Sequence, residues 1–386
     1  DKLETHDYDQ SPLIIAANGG VMQLDEVARR PIWSVDSGPT MLPVAAREYT
    51  ETELGRDNII AVDMGGTSLD MGVVTNGEIP RTREGKVGDD ILGVEKVEIE
   101  SIGAGGGSIA WIDKGGLLHV GPKSAGADPG PACYGRGGTR PTVTDAALAL
   151  GYLNEDYFLG GEMTIDRDAA ENALTEHVGD QLGMGTVKTA HSIYATMVQQ
   201  MVSGITEVTI ERGIDPRRYV LSGGGGALGM FAVPIARELK MTDIVLPKRA
   251  GVASAVGGQL SDIRRDFSGS YFTKSSRFDL EEVNNLLETL ESRADEFFER
   301  TNTPAERQSK NFYVEARYPF QVWELQVDLP SSRLDETDLQ TLVDRFNTAH
   351  DNRYGFKQED RDVEFVYWRV EATQTEFALA AWRERS

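Results

Sequence analysis

Ile59-Ile60-Ala61-Val62-Asp63-Met64-Gly65-Gly66-Thr67-Ser68-Leu69-Asp70-Met71-Gly72-Val73-Val74 is the stretch on which the reading of this chain turns. Ile59 to Val62 is a short β-rich run, and Met71 to Val74 begins a return strand. Between them, Gly65 and Gly66 allow positive φ and let a ligand approach the backbone. The turn sets a hydroxyl pair, Thr67 and Ser68, between two carboxylates, Asp63 and Asp70. Exposed backbone N–H groups form an anion nest, hydroxyls donate to phosphate oxygens, and a carboxylate positions a hydrated metal. The same residues also make an ordinary hairpin turn, so the rest of the chain must decide.

Two more glycine-rich loops follow strands. Val97 to Ile102 alternates apolar and charged residues and leads into Gly103-Ala104-Gly105-Gly106-Gly107-Ser108. Tyr219 to Ser222 leads into Gly223-Gly224-Gly225-Gly226, then a helix over 228–239, a strand over 242–246 and a small-residue helix from Gly251 to Gly258. Strand, glycines, helix, strand is the order of a nucleotide-binding α/β unit. Upstream, Pro12 to Ala17 reads as a buried strand. Ser37-Gly38-Pro39-Thr40 precedes a helix over 41–49, whose N-terminus is a further candidate anion site. A charged excursion runs from Glu78 to Glu95. Residues 121–145 are almost all loop, closed by Thr142 at the start of a helix reaching Leu150. Helices are expected over 166–182 and 186–213, the second a packed central helix with a core stripe of Ile193, Met197, Met201, Ile205 and Val208.

The chain has 386 residues and a net charge of −23, a field that disfavours nucleic acid and anionic membranes. No apolar run reaches the roughly 18–20 residues of a membrane helix. The start, Asp1-Lys2-Leu3, has neither an initiator Met nor a signal-peptide pattern, as expected of a processed piece or fragment. A single cysteine, Cys133, excludes an intrachain disulfide and fits a reducing, cytoplasmic setting. No His, Cys and carboxylate set has metal-ligand spacing, so no Zn²⁺ site is expected. There is no Walker A motif and no Gly-x-Gly-x-x-Gly after a first strand. Asp-x-Gly-Gly-Thr hairpins point instead to the actin, hexokinase and Hsp70 class of ATPases.

Four blocks then closely resemble the hydantoinase A / 5-oxoprolinase family: Asp63 to Asp70, Gly103 to Ala110, Val120 to Gly135 and Pro141 to Ala146. The likeness continues through Gly213-Ile214-Asp215-Pro216-Arg217 and Ser222 to Ala227, and more weakly from His350 to Arg369. It implies an α/β chain with an actin-like, ribonuclease H-like ATPase fold that uses ATP and Mg²⁺. The implied function is the ATP-binding subunit of a cyclic-amide hydrolase that phosphorylates a carbonyl oxygen. The alternatives are a subunit of an acetone- or acetophenone-type carboxylase, which phosphorylates enolate or bicarbonate, and a non-catalytic scaffold. The partners implied are a hydantoinase B-type subunit in a hetero-oligomer, and a cyclic amide or a ketone with bicarbonate. In this reading Asp63 is a catalytic acid near Mg²⁺ and Asp70 its second carboxylate. Gly65, Gly66, Thr67 and Ser68 hold phosphates, Gly105 and Gly106 form cleft wall, and Gly223, Gly224, Gly225 and Gly226 line adenosine. Asp145 is a candidate Mg²⁺-water or base carboxylate, or else a helix cap. His119 and Arg136 are weaker candidates, and Cys133 reads as a packed small hydrophobe.

Two departures from the family matter. Its first Asp-x-Gly-Gly-Thr loop is missing, so another part of the polypeptide or another chain would complete the clamp, or the activity is lost. Ser37-Gly38-Pro39-Thr40-Met41-Leu42 stands where the hydrolases prefer Gly-Pro-Ala-Gly-Gly. The domains expected are an ATP-binding core over 1–266 and an α+β region over 267–386. In the latter, Asp279 caps a helix over 280–300, a second helix runs over 335–352, and long strands cover 312–329 and 363–373. His350 is expected to be structural.

Overall fold

The structure, a computed structural model, describes residues 12–82, 86–87, 90–91, 93–301 and 303–375. Parts of the charged excursion and the first eleven residues lie outside these. Two compact units are seen, one over 15–19 and 25–260, the other over 12–14, 20–24 and 261–375.

The first unit is built on α1 (Ser37–Leu54), β1 (Ile59–Met64), β2 (Leu69–Val74), β3 (Ile99–Ile102), α2 (Val143–Ala149), α3 (Thr186–Glu211), β4 (Val220–Gly224), β5 (Ile244–Val245) and α4 (Ala253–Leu260). Its sheet runs β5-β4-β1-β2-β3. β4 is parallel to β1 and β5, while β2 and β3 are antiparallel. The strands read as near-continuous apolar runs because both faces are covered. Ile60, Val62, Met64, Met71 and Val73 point to one face and join the stripe of α3 in the main core. Ile59 and Ala61 point to the other and meet Leu42 and Ala46 of α1. Val256 and Leu260 of α4 pack with Ala45 and Tyr49 on the same side. α1 and α4 cross so closely that a Cβ on Gly257 would stand 2.1 Å from the Met41 carbonyl oxygen. Both helices therefore begin near the carboxyl ends of β1 and β4.

α1 starts at Ser37, before the expected Met41, with Pro39 in its first turn, where a missing N–H costs nothing. The helix expected over 166–182 is Arg167–Leu174 and Asp180–Leu182 joined by a π-helical turn, Thr175–Gly179.

The second unit is a six-stranded sheet in the order Leu13–Ile15, Val21–Gln23, Ile263–Lys274, Glu364–Gln374, Gln308–Arg317, Leu325–Asp328, with helices Leu280–Arg300 and Asp338–Tyr354. Its long strand begins at Ile263, ahead of the boundary expected after 266. The single strand expected over 312–329 is two, folded back on each other at Tyr318-Pro319-Phe320. Pro319 has no N–H for a ladder, so the strand ends there. His350 is fully buried, its Nδ1 2.7 Å from the Phe356 carbonyl oxygen and its Nε2 2.7 Å from Gln321 Nε2, a packing arrangement.

Candidate functional site

One row of four residues crosses the sheet at its carboxyl end. The registers pair Gly224 with Asp63, Asp63 with Asp70, and Asp70 with Ser101. Neighbours at one level point to one face, so Asp63, Asp70 and Ser101 share the α1/α4 face, at the level where those helices start. Gly224 contributes no side chain, and needs to contribute none. A Cβ there would lie 2.7 Å from the Ala253 Cβ and 3.0 Å from Asp63 Oδ2. Ser254, in the first turn of α4, reaches Asp63 Oδ2 at 3.5 Å, and Ser101 donates to Asp70 Oδ1 at 2.5 Å. Burial, then the facing Asp70 charge, pushes the Asp63 carboxyl up from the usual carboxylate range, against a smaller opposite pull from Ser254.

The turn beyond this row is held from behind. Gly65 N–H donates to the Ser68 carbonyl at 3.2 Å. Gly106 and Gly107 N–H groups donate to the Gly65 and Gly66 carbonyls at 3.0 and 2.7 Å. Thr144 of α2 grips the Gly106 carbonyl through both its N–H and its hydroxyl, each at 2.8 Å. With the Gly65, Gly66 and Ser68 carbonyls used, the turn presents its other side. Thr67 is exposed, and no hydrogen bond of its hydroxyl, or of the Gly66, Thr67 and Ser68 N–H groups, is made among the described residues.

The glycines fall into two groups. Gly65, Gly66 and Gly226 would each carry a Cβ into open space. Neither Gly65 nor Gly66 uses the left-handed φ open to glycine; their value is access. The others are crowded by the protein itself. A Cβ on Gly105 would meet the Thr67 nitrogen at 2.6 Å, and on Gly106 the Thr144 hydroxyl at 2.9 Å. On Gly223 it would meet Leu228 Cδ2 at 1.9 Å. Gly225 has φ +82° and would put a Cβ 2.2 Å from the Met64 carbonyl oxygen and 2.4 Å from Asp63 Oδ1. Crowding by neighbouring backbone and side-chain atoms accounts for these absent side chains; Gly226 alone of the 223–226 run is open.

Asp145 is fully buried and takes part in the capping box of α2. It accepts from the N–H groups of Ala132, Cys133 and Thr142 at 3.2, 2.8 and 2.8 Å and from the Thr142 hydroxyl at 2.8 Å. This is the helix-cap alternative: the carboxylate ties the 121–145 loop to α2, and it reaches the turn only indirectly, through Thr144 and Gly106. Cys133 is buried, and burial together with Asp145 pushes its thiol far up. His119 pairs with Asp113 at 2.7 Å and stacks on Trp111, and Arg136 points at the Met163 sulfur, so neither joins the row. Ser101 and Ser254 escaped the sequence reading because strand register and helix crossing alone bring them to the carboxylates.

Among the described residues no cluster of three or more His, Cys, Asp or Glu could hold a metal. Two carboxylates beside an open phosphate-type turn fit Mg²⁺ nonetheless, since that ion keeps several waters and takes one or two carboxylates with substrate phosphates. The mutual repulsion of Asp63 and Asp70 is what a cation there would relieve. Among the described residues no helix is long and apolar enough to cross a membrane.

The arrangement is a mixed α/β sheet with glycine-rich turns following the carboxyl ends of its parallel strands β1 and β4. The chain belongs to the hydantoinase/oxoprolinase family, whose sequence model matches residues 1–267. It is 39% identical to the caprolactamase subunit alpha of Pseudomonas jessenii over 91% of this chain and 51% of that protein. It is 33% identical to the acetophenone carboxylase gamma subunit of Aromatoleum aromaticum over 76% of this chain and 41% of that one. The crystal structure of the ATP-dependent caprolactamase from Pseudomonas jessenii superposes with a TM-score of 0.79 at 35% identity, over 97% of this chain and 56% of that chain. The chain thus spans about half the length of the curated relatives it matches.

Proposed function

We propose that the first unit is the ATP-binding part of an ATP-dependent cyclic-amide hydrolase with an actin-like ATPase core. The observation that carries this is the turn 65–68: open glycines, with a hydroxyl and N–H groups that find no partner among the described residues, beside a carboxylate pair. Phosphates would lie on Gly65, Gly66, Thr67 and Ser68, with the nucleoside passing Gly226. Asp63 and Asp70 would hold Mg²⁺ through its waters, and the ion, when bound, would neutralise phosphate charge. The γ-phosphoryl passes to the amide carbonyl oxygen. Water adds to the activated carbon, the ring C–N bond breaks with the nitrogen taking a proton, and a second water then cleaves the resulting acyl phosphate to carboxylate and phosphate. The chain's part in this is positioning and charge complementarity.

The likeness to a caprolactamase favours the amide over the ketone. The likeness to an acetophenone carboxylase subunit supports the second reading, in which an enolate or bicarbonate oxygen takes the phosphoryl group. Relatives named as subunits support an assembly with an unlike chain, for which a hydantoinase B-type subunit in the cytoplasm is our reading.

The test is ADP release by the protein purified with its partners, with a lactam, a hydantoin or 5-oxoproline, against a ketone plus bicarbonate. Asp63→Ala is run in parallel. Turnover coupled to ring opening and lost in the variant supports the hydrolase. A requirement for ketone and bicarbonate together moves the chain to the carboxylases, and no ATP binding ends both readings.

A further inference from the structure

We propose that Ser101 is a positioning residue for Asp70, fixing one carboxylate oxygen so that the other is presented to metal-bound water. The inference rests on the Mg²⁺–ATP reading above. Asp70 stands directly opposite Asp63 in an antiparallel pair, where like charges repel and the two carboxylates tend to turn apart. A geometry useful to a cation needs one of them anchored. Ser101 does this from β3, the strand at the edge of the sheet, where it closes the row Gly224-Asp63-Asp70-Ser101.

Its hydroxyl donates to Asp70 Oδ1 at 2.5 Å, the length of a strong hydrogen bond to a charged acceptor. Ser101 is itself exposed, so the bond does not serve to satisfy a buried hydroxyl. No bond to Asp70 Oδ2 is made among the described residues. Across the row, Ser254 reaches Asp63 Oδ2 at 3.5 Å, long enough to be a weak anchor. The two serines therefore treat the carboxylates unequally: Asp70 is fixed and Asp63 retains freedom to adjust.

The test uses equilibrium binding of a fluorescent ATP analogue to the purified protein, titrated with Mg²⁺ and repeated in EDTA. Ser101→Ala is expected to raise the half-saturating Mg²⁺ roughly tenfold, the scale of one lost hydrogen bond to a charged group. Binding in EDTA should stay within about twofold, and Ser101→Thr should restore the wild-type Mg²⁺ response. Ser254→Ala should move the Mg²⁺ midpoint less than Ser101→Ala. Asp70→Asn separates the failures. If Asp70→Asn shifts the midpoint and Ser101→Ala does not, the positioning role is wrong and the metal reading stands. If neither shifts it, or if wild type binds no analogue, the metal reading is wrong as well. An equal loss of binding in EDTA would assign Ser101 to the fold and overturn the proposal.

Discussion

Gly225→Ala and Gly226→Ala are adjacent single-methyl additions whose outcomes should be opposite. At 225 the backbone has φ +82°, where a side chain costs about 1–2 kcal/mol. The new Cβ would also stand 2.2 Å from the Met64 carbonyl oxygen and 2.4 Å from Asp63 Oδ1. Real Cβ atoms essentially never come within 3.0 Å, so Asp63 must give way by more than half an ångström. Strain and overpacking together should cost about 3 kcal/mol, or roughly 6–12 °C in Tm for a unit of this size. Displacement on the scale of an ångström costs up to about 10²-fold in rate, so kcat should fall by that order even in the fraction that folds. At 226 a Cβ meets nothing within 4 Å and φ is not left-handed. Gly226→Ala should melt within about 1 kcal/mol of wild type, on the stable side if anything. Its expected defect is in the nucleotide: affinity weakened roughly tenfold, because the open space is where the ligand passes. Thermal melts with and without MgATP and steady-state ATP turnover read all of this. A fully active Gly225→Ala protein, or a Gly226→Ala protein with unchanged ATP affinity, would refute the division of glycines into packed and open.

Thr67→Ala should weaken ATP binding about 10–100-fold, the worth of a hydroxyl bond to a charged oxygen, while the melt of the ligand-free protein hardly moves. Asp145→Ala strands buried N–H donors of Ala132, Cys133 and Thr142 and should cost about 3 kcal/mol or more, seen as a Tm drop of roughly 6–12 °C by calorimetry. Asp63→Asn should raise the Tm of the ligand-free protein at neutral pH by roughly 1–2 °C, since a directly opposed like-charge pair costs about 0.2–1 kcal/mol, and should abolish the further rise given by MgATP. With its thiol pushed up by burial and Asp145, Cys133 should resist iodoacetamide at pH 8.5, where an ordinary thiol is about half ionised; rapid modification of native protein, followed by mass spectrometry, would contradict that placement.

The core strands were legible because Ile59 to Val62 and Met71 to Val74 are apolar on both faces and flank a glycine turn. α3 was legible from its 3.6-residue stripe and α2 from Thr142 and Asp145 at capping spacing. The roles within the turn were less so. Glycine is written the same way whether it admits a ligand, as Gly226 can, or avoids its own backbone, as Gly225 must. Asp145 sits in a block as distinctive as that of Asp63, yet its four bonds depend on how a twenty-five-residue loop folds back, which no local pattern encodes. The strand Ile263–Lys274 was hidden by Arg264-Arg265-Asp266, charges that interrupt the alternation at its start.

Amide hydrogen exchange of the purified protein, with and without MgATP, tests the central claim most directly. The account predicts protection of peptides covering 64–68 and 225–227, where the N–H groups of Gly66, Thr67 and Ser68, unpaired among the described residues, would close on phosphate. Protection that falls elsewhere, or no protection at saturating MgATP, would contradict the assignment of this turn as the phosphate site.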